Sequence, residues 1–327
     1  MSRATPQILP NASTPVRIGI SRCLLGEHVR YDGGHKRDRF LTDVLGRYVE
    51  WVPVCPEVEA GFGTPREAMR LVGEPRAPKL FTITTERDMT QPLVDAAERR
   101  LGQLAESDLC GFIFKKDSPS CGIERVRVFN RHGMPNRKGV GLFAQAFRDR
   151  FPLLPVEDEG RLCDPVLRDN FIERVFCYHR WRQLAAAPLK RQDVVRFHTV
   201  HKYLLLAHSR SHYQELGRLV ARADRYRQKE LVARYGALFM AALATTATRR
   251  KHVNVLQHVI GHMKHDLRGG ERTELENVVE DYRQGLVPLI VPITLVKHYV
   301  RRYGIDYVKD QVYLNPHPKE MKLRNSI

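Results

Sequence analysis

No two cysteines stand close together in this sequence, no apolar run is long enough to cross a bilayer, and tryptophan occurs twice in 327 residues. Without Cys-x-x-Cys knuckles the usual zinc ribbon has no ligands, and the ferredoxin spacing is missing too. With no stretch of about 18 apolar residues, no membrane-spanning helix is expected. The polar residues 1–15 lack the apolar centre of a secretory leader. They are expected to form a disordered tail, and the six cysteines to be reduced thiols of a cytoplasmic protein.

Acidic charge is also short, and unevenly so. Residues 1–165 carry 25 basic and 22 acidic side chains, net +3, whereas residues 166–327 carry 29 and 15, net +14. A positive field concentrated in one half implies a polyanionic partner, with nucleic acid ahead of a membrane surface, although a merely soluble basic surface has the same composition. The length suggests two domains.

The first half alternates strand and helix. Strand patterns at 16–20, 49–54, 110–114, 125–129 and 153–156 are interleaved with helical spacing at 39–48, 92–105 and 141–151, and short strands surround Gly73-Glu74-Pro75. This is an α/β pattern, expected to form an open, mostly parallel sheet over residues 16–162. In such sheets the functional crevice lies beyond the carboxyl ends of the strands, and Cys23, Cys55 and Cys121 each follow a strand pattern. Three distant thiols with no evident fourth ligand suit an iron–sulfur cluster having one iron open to substrate; the bland alternative is three independent core cysteines. Cys110, Cys163 and Cys177 read as buried small hydrophobes.

Four ordered motifs add a resemblance. Cys-Leu-Leu-Gly at 23–26, Tyr-Asp-Gly at 31–33, Cys-Pro-Glu-Val at 55–58 and Lys-x-x-Ser-Pro-Ser-Cys-Gly at 115–122 resemble the thiouracil desulfidase family over roughly residues 16–160. The resemblance implies non-redox removal of sulfur from a thiolated pyrimidine at a 4Fe-4S cluster held by Cys23, Cys55 and Cys121. The second half resembles the helical domain of a longer subgroup acting on 4-thiouridine in tRNA, which implies tRNA as substrate and partner. Within that chemistry Glu57 is expected to be the general base, with Glu59 as the alternative, and Ser118 to orient the substrate. Lys116 and Ser120 are expected to supply donors to developing charge, with Ser120 and Asp32 facing the substrate. The rival readings are a desulfidase of free thiouracil or a thiouridine nucleotide, and a non-enzymatic iron–sulfur sensor that binds nucleic acid.

The second half reads as a connecting helix at 163–187, ending before Pro188, an all-α domain at 188–310 and a frayed or peripheral tail at 311–327. Arg196, Lys202, Arg210, Arg249, Arg250 and Lys251 are the expected phosphate contacts. Phe197, Tyr203 and Tyr213, lying among them and among His198, His201, His208 and His212, are available to stack on unpaired bases. His258, His262 and His265 fall at i, i+4 and i+7 and are expected to form a solvated or RNA-facing stripe rather than a metal face.

Overall fold

A computed structural model describes residues 14–186 and 189–327; nearly all of the expected tail at 1–15, as well as Ala187 and Pro188, lies outside the described residues. The chain divides into an α/β unit ending at Asp164 and a helical unit beginning at Pro165. Among the described residues no single helix is long and apolar enough to cross a membrane.

The α/β unit holds two four-stranded sheets rather than one. The first has the order β2 (Glu50–Val54), β1 (Arg17–Ser21), β5 (Leu109–Phe114), β8 (Val156–Asp158), and every neighbouring pair is parallel. The second has the order β4 (Ala77–Thr82), β3 (Met69–Glu74), β6 (Val126–Phe129), β7 (Pro135–Gly139) and is mixed, with two hairpin pairs around one parallel pair. Strand β7 is not among the strands that the sequence pattern suggests. Its burial pattern is exposed except for Gly139, so it carries no apolar alternation from which a strand is read.

All six residues of β5 are buried, as suits a central strand covered on both faces. Phe112 and Phe114 on β5 stack at 4.1 Å between ring centroids and meet Phe143 and Phe147 of helix α3 (Leu142–Arg150) edge-on. Each such ring stabilises the fold by roughly 1.5–3 kcal/mol. Helix α2 (Thr90–Ala105) buries Leu93, Ala96, Ala97, Leu101 and Leu104, the residues its spacing selects. The helical spacing at 39–48 yields only a π turn at Phe40–Val44 followed by a 3-10 turn at Leu45–Arg47.

Between β2 and β3 lies the single-turn helix α1 (Pro56–Glu59). The helical unit is built from α4 (Pro165–Ala186), α5 (Arg191–His208), α6 (Arg210–Ala221), α7 (Gln228–Ala244), α8 (Arg249–Met263), α9 (Glu271–Gln284), α10 (Ile290–Tyr303) and the short α11 (Asp306–Lys309). Helix α4 is mostly buried and brings charge into the core. Glu173 is paired with His208 and Arg324, and Asp169 with His317.

The expected peripheral tail is a correction. Residues 312–327 are packed into the unit, with Tyr313, Leu314, Met321, Leu323 and Arg324 buried and the Pro316 carbonyl accepting from Arg180. Short 3-10 turns without periodicity hide this burial from a sequence reading.

Candidate active site

The convergence of the three cysteines follows from strand order. Strand β1 lies between β2 and β5, all parallel, so their carboxyl ends share one edge. Cys23 lies two residues beyond β1, Cys55 directly follows β2, and Cys121 lies in the loop after β5. All three line one cavity of about 430 Å³. Cys23 and Cys121 are buried and Cys55 is partly buried. Burial pushes the Cys23 thiol up to about 11, with Cys55 adding to the rise and Lys115 opposing it. Burial, then Cys55 and Glu57, hold Cys121 well above the ordinary thiol range, and burial also raises Cys55.

The loop carrying Cys121 is held by backbone groups at both ends. The Ser118 hydroxyl accepts from the Ser120 and Cys121 N–H groups at 3.2 and 3.1 Å. The first N–H groups of α3 turn back onto it, with Phe143 and Ala144 both donating to the Ser120 carbonyl and Leu142 to that of Pro119. Gly141 makes this approach possible, because a Cβ there would stand 2.5 Å from the Ser120 carbonyl carbon and oxygen. Gly141→Ala is therefore expected to destabilise the protein by about 1–3 kcal/mol, read from urea unfolding; an unchanged midpoint would contradict this packing.

Glu57, on α1, lines the cavity. Its Oε2 accepts from both Nε, at 2.9 Å, and Nη2 of Arg66, while Oε1 accepts from the Ser120 hydroxyl at 2.6 Å. Glu59, the alternative base, accepts from the Cys55 N–H at 3.2 Å, approaches Arg100 at 3.5 Å and is not among the cavity-lining residues. Burial raises its carboxyl, against the pull of Arg100.

Ser118 and Lys116 also line the cavity. Two expected substrate contacts lie elsewhere. Ser120 is fully buried behind Glu57. Asp32 is 46% exposed, outside the cavity lining, accepting from the Gly34 N–H and paired with Arg30, as a turn residue does.

Arg66 and Lys115 were given no role in the sequence reading. Lys115 follows β5 directly and is paired with Glu159, which follows β8 on the same sheet edge. Arg66 lies in none of the quoted motifs, and Lys115 opens the 115–122 motif without its partner Glu159 being readable from it, so only the fold places these two cations. With Arg22, Arg30, Lys36, Lys116 and Arg127 they give the cavity seven cationic side chains against two carboxylates, Glu57 and Asp117.

Among the described residues no group of three His, Cys, Asp or Glu side chains is placed to hold a metal ion. A zinc ion needs its donors about 2.0–2.3 Å from a single point. A polynuclear iron–sulfur cluster takes one thiolate per iron and spreads its ligands, so three soft sulfurs around a cavity, with no fourth, fit it by donor chemistry.

The expected RNA contacts, all on the helical unit, do not form one band. Arg210 opens α6, and the Lys251 ammonium donates to the His208 carbonyl at 2.6 Å, beside exposed Arg249 and Arg250. Lys202 sits near the other end of α8, its Nζ 4.3 Å from the Tyr307 ring centroid and Tyr307 itself beside His262. Eleven helical residues, about 16 Å, separate 251 from 262. Arg196 is partly exposed on α5. Phe197, His201, Tyr203 and His208 are buried and unavailable for base stacking, while His258, His262 and His265 are exposed as expected.

A parallel sheet whose carboxyl edge gathers three thiols, a clamped carboxylate and a cationic lining defines an α/β enzyme. Residues 18–159 match the family model for 2-thiouracil desulfurase, and residues 202–318 match that for a protein of unknown function, DUF1722. The uncharacterized protein YbgA of Escherichia coli (strain K12) is 30% identical over 159 residues, 48% of this chain and 94% of that protein. The uncharacterized protein YbbK of Bacillus subtilis (strain 168) is 31% identical over 109 residues, 32% of this chain and 71% of that one. Among solved structures, a [4Fe-4S]-dependent thiouracil desulfidase, TudS, is 32% identical and covers 45% of this chain and 93% of its own, with a TM-score of 0.38. Over residues 18–159 the chain belongs to the 2-thiouracil desulfurase family.

Proposed function

We propose that the protein removes sulfur from 4-thiouridine in tRNA, giving uridine and hydrosulfide, with a 4Fe-4S cluster held by Cys23, Cys55 and Cys121. The observation that carries this reading is the meeting of three strand-end thiols and Glu57 on one cavity. When bound, the cluster supplies a Lewis-acidic iron with an open position suited to a soft sulfur ligand. Water provides the oxygen that replaces sulfur on the ring carbon, and Glu57 takes its proton. Ser118 holds the cavity loop and Lys116 places positive charge at the rim. No net electron transfer is needed.

The cationic excess of the cavity favours a phosphate-bearing substrate over a free base, and the +14 second half favours a polynucleotide. The test is incubation of the cluster-loaded protein with 4-thiouridine-containing tRNA and, separately, with the nucleoside, following thiouridine absorbance and released sulfide. Loss of absorbance with one sulfide per thiouridine on tRNA is expected, and equal turnover of the nucleoside would overturn the tRNA reading. The double change Arg249→Glu, Arg250→Glu is expected to raise KM for tRNA by about tenfold or more, to lessen its salt dependence and to leave nucleoside turnover unaltered.

A further inference from the structure

The carboxylate of Glu57 is gripped at three points by groups from two other segments. Arg66, whose side chain is only 7% exposed, directs Nε and Nη2 to Oε2. Its Nη1 donates to the Val29 and Gly63 carbonyls at 3.0 and 2.9 Å. The fork is thus fixed from behind and does not swing with its partner. On the other side the Ser120 hydroxyl, 0% exposed, donates to Oε1 at 2.6 Å.

A carboxylate offers about four lone-pair positions. The two guanidinium N–H groups occupy those of Oε2, whereas Oε1 accepts one bond and keeps capacity for a second. Ser118 does not compete for this role, since its oxygen is taken up by backbone N–H groups of the loop.

We propose that Arg66 and Ser120 are positioning residues that lock the Glu57 carboxylate with Oε1 as the oxygen that takes the proton of water; this rests on the desulfurisation proposed for the same cavity. A base acts only within hydrogen-bond reach of its proton, and a displacement of about 1 Å costs about 10²-fold in rate. Ser120 therefore acts through Glu57 and not on the substrate, which accounts for a reactive-looking serine being wholly buried.

The test uses the full-length, cluster-loaded protein and the variants Ser120→Ala, Arg66→Lys, Glu57→Gln and the two doubles with Glu57→Gln. Ser120→Ala and Arg66→Lys are each expected to lower kcat by about 30–100-fold, with KM changed less than about threefold and iron content and visible absorbance unaltered. In the Glu57→Gln background, neither change is expected to lower the residual rate further. Thermal melting supplies a readout independent of turnover: the losses in Tm from Ser120→Ala and Glu57→Gln are expected to be smaller together than their sum. Arg66 also clips two loops, so Arg66→Lys is open to misfolding; Ser120→Ala, which deletes a single hydroxyl, keeps the test decisive. Multiplying kcat losses in the Glu57→Gln background, or a Ser120→Ala enzyme of normal kcat, would overturn the positioning role. A Glu57→Gln enzyme with normal kcat and iron would instead remove the base assignment itself, and the positioning role with it.

Discussion

Cys121→Ala is expected to leave a folded protein that retains little or no iron–sulfur absorbance after anaerobic reconstitution and has lost at least about 10³-fold of its desulfurising rate. The magnitude follows from removing Lewis-acid stabilisation of several kcal/mol, at about 1.4 kcal/mol per tenfold. The fold is expected to survive because the 118–122 loop is held by main-chain bonds, including Gly122 N–H to the Ser118 carbonyl and Gly141 N–H to the Gly122 carbonyl, neither of which involves the thiol. Cys110→Ala is the matched control. Its sulfur lies inside β5 and outside the cavity lining, so it is expected to retain iron and activity. Normal iron content and normal rate in Cys121→Ala would end the three-cysteine assignment.

Acidification from pH 7 toward 4 is expected to unfold the helical unit. Burial holds His198, His201 and His252 neutral, pushing them down to about 4, 3 and 3, with Lys202, Arg180 and Arg324 reinforcing the respective shifts. In the unfolded chain these rings titrate near 6.5. Below that value the unfolded state binds more protons than the folded one. Stability fully present above about pH 6.5 is therefore lost as pH falls toward 3–4, by up to about 4 kcal/mol per pH unit for three rings.

Glu173 acts in the same direction at lower pH. Burial alone would raise it, but His208, Arg324 and His317 outweigh burial and hold it below the usual carboxylate range. Its contribution is complete above about pH 4.5 and is lost as pH falls below that value. Against a total stability of about 5–15 kcal/mol the histidine slope is decisive. Circular dichroism of the helical signal as a function of pH measures it. His201 stacks on Phe197, its Nδ1 bonds the Phe197 carbonyl and its Nε2 has no hydrogen-bond partner among the described residues, so His201→Phe keeps the packing and is expected to remove about one third of the slope. A urea midpoint unchanged between pH 7 and 4.5 would contradict the account.

The α/β alternation and the placement of the three thiols after strands were legible in the sequence because each rests on local information: apolar runs of strand length ending in a motif. The helices of the second half were legible for the same reason, since burial at 3.6-residue spacing is written into consecutive residues. Strand order was not. That β1 lies between β2 and β5 depends on which strands pair across long separations, and this order is what brings residues 23, 55 and 121 to one cavity. The partners of Glu57 and Glu59 likewise depend on the turn of α1, which points one carboxylate at Arg66 and Ser120 and the other at the Cys55 N–H and Arg100. Burial decided the remainder. It withdrew Ser120 from the substrate and Phe197 and Tyr203 from base stacking, left Asp32 in solvent, and set Arg66 against the Glu57 carboxylate, because the neighbours that bury a side chain or free it come from distant parts of the chain.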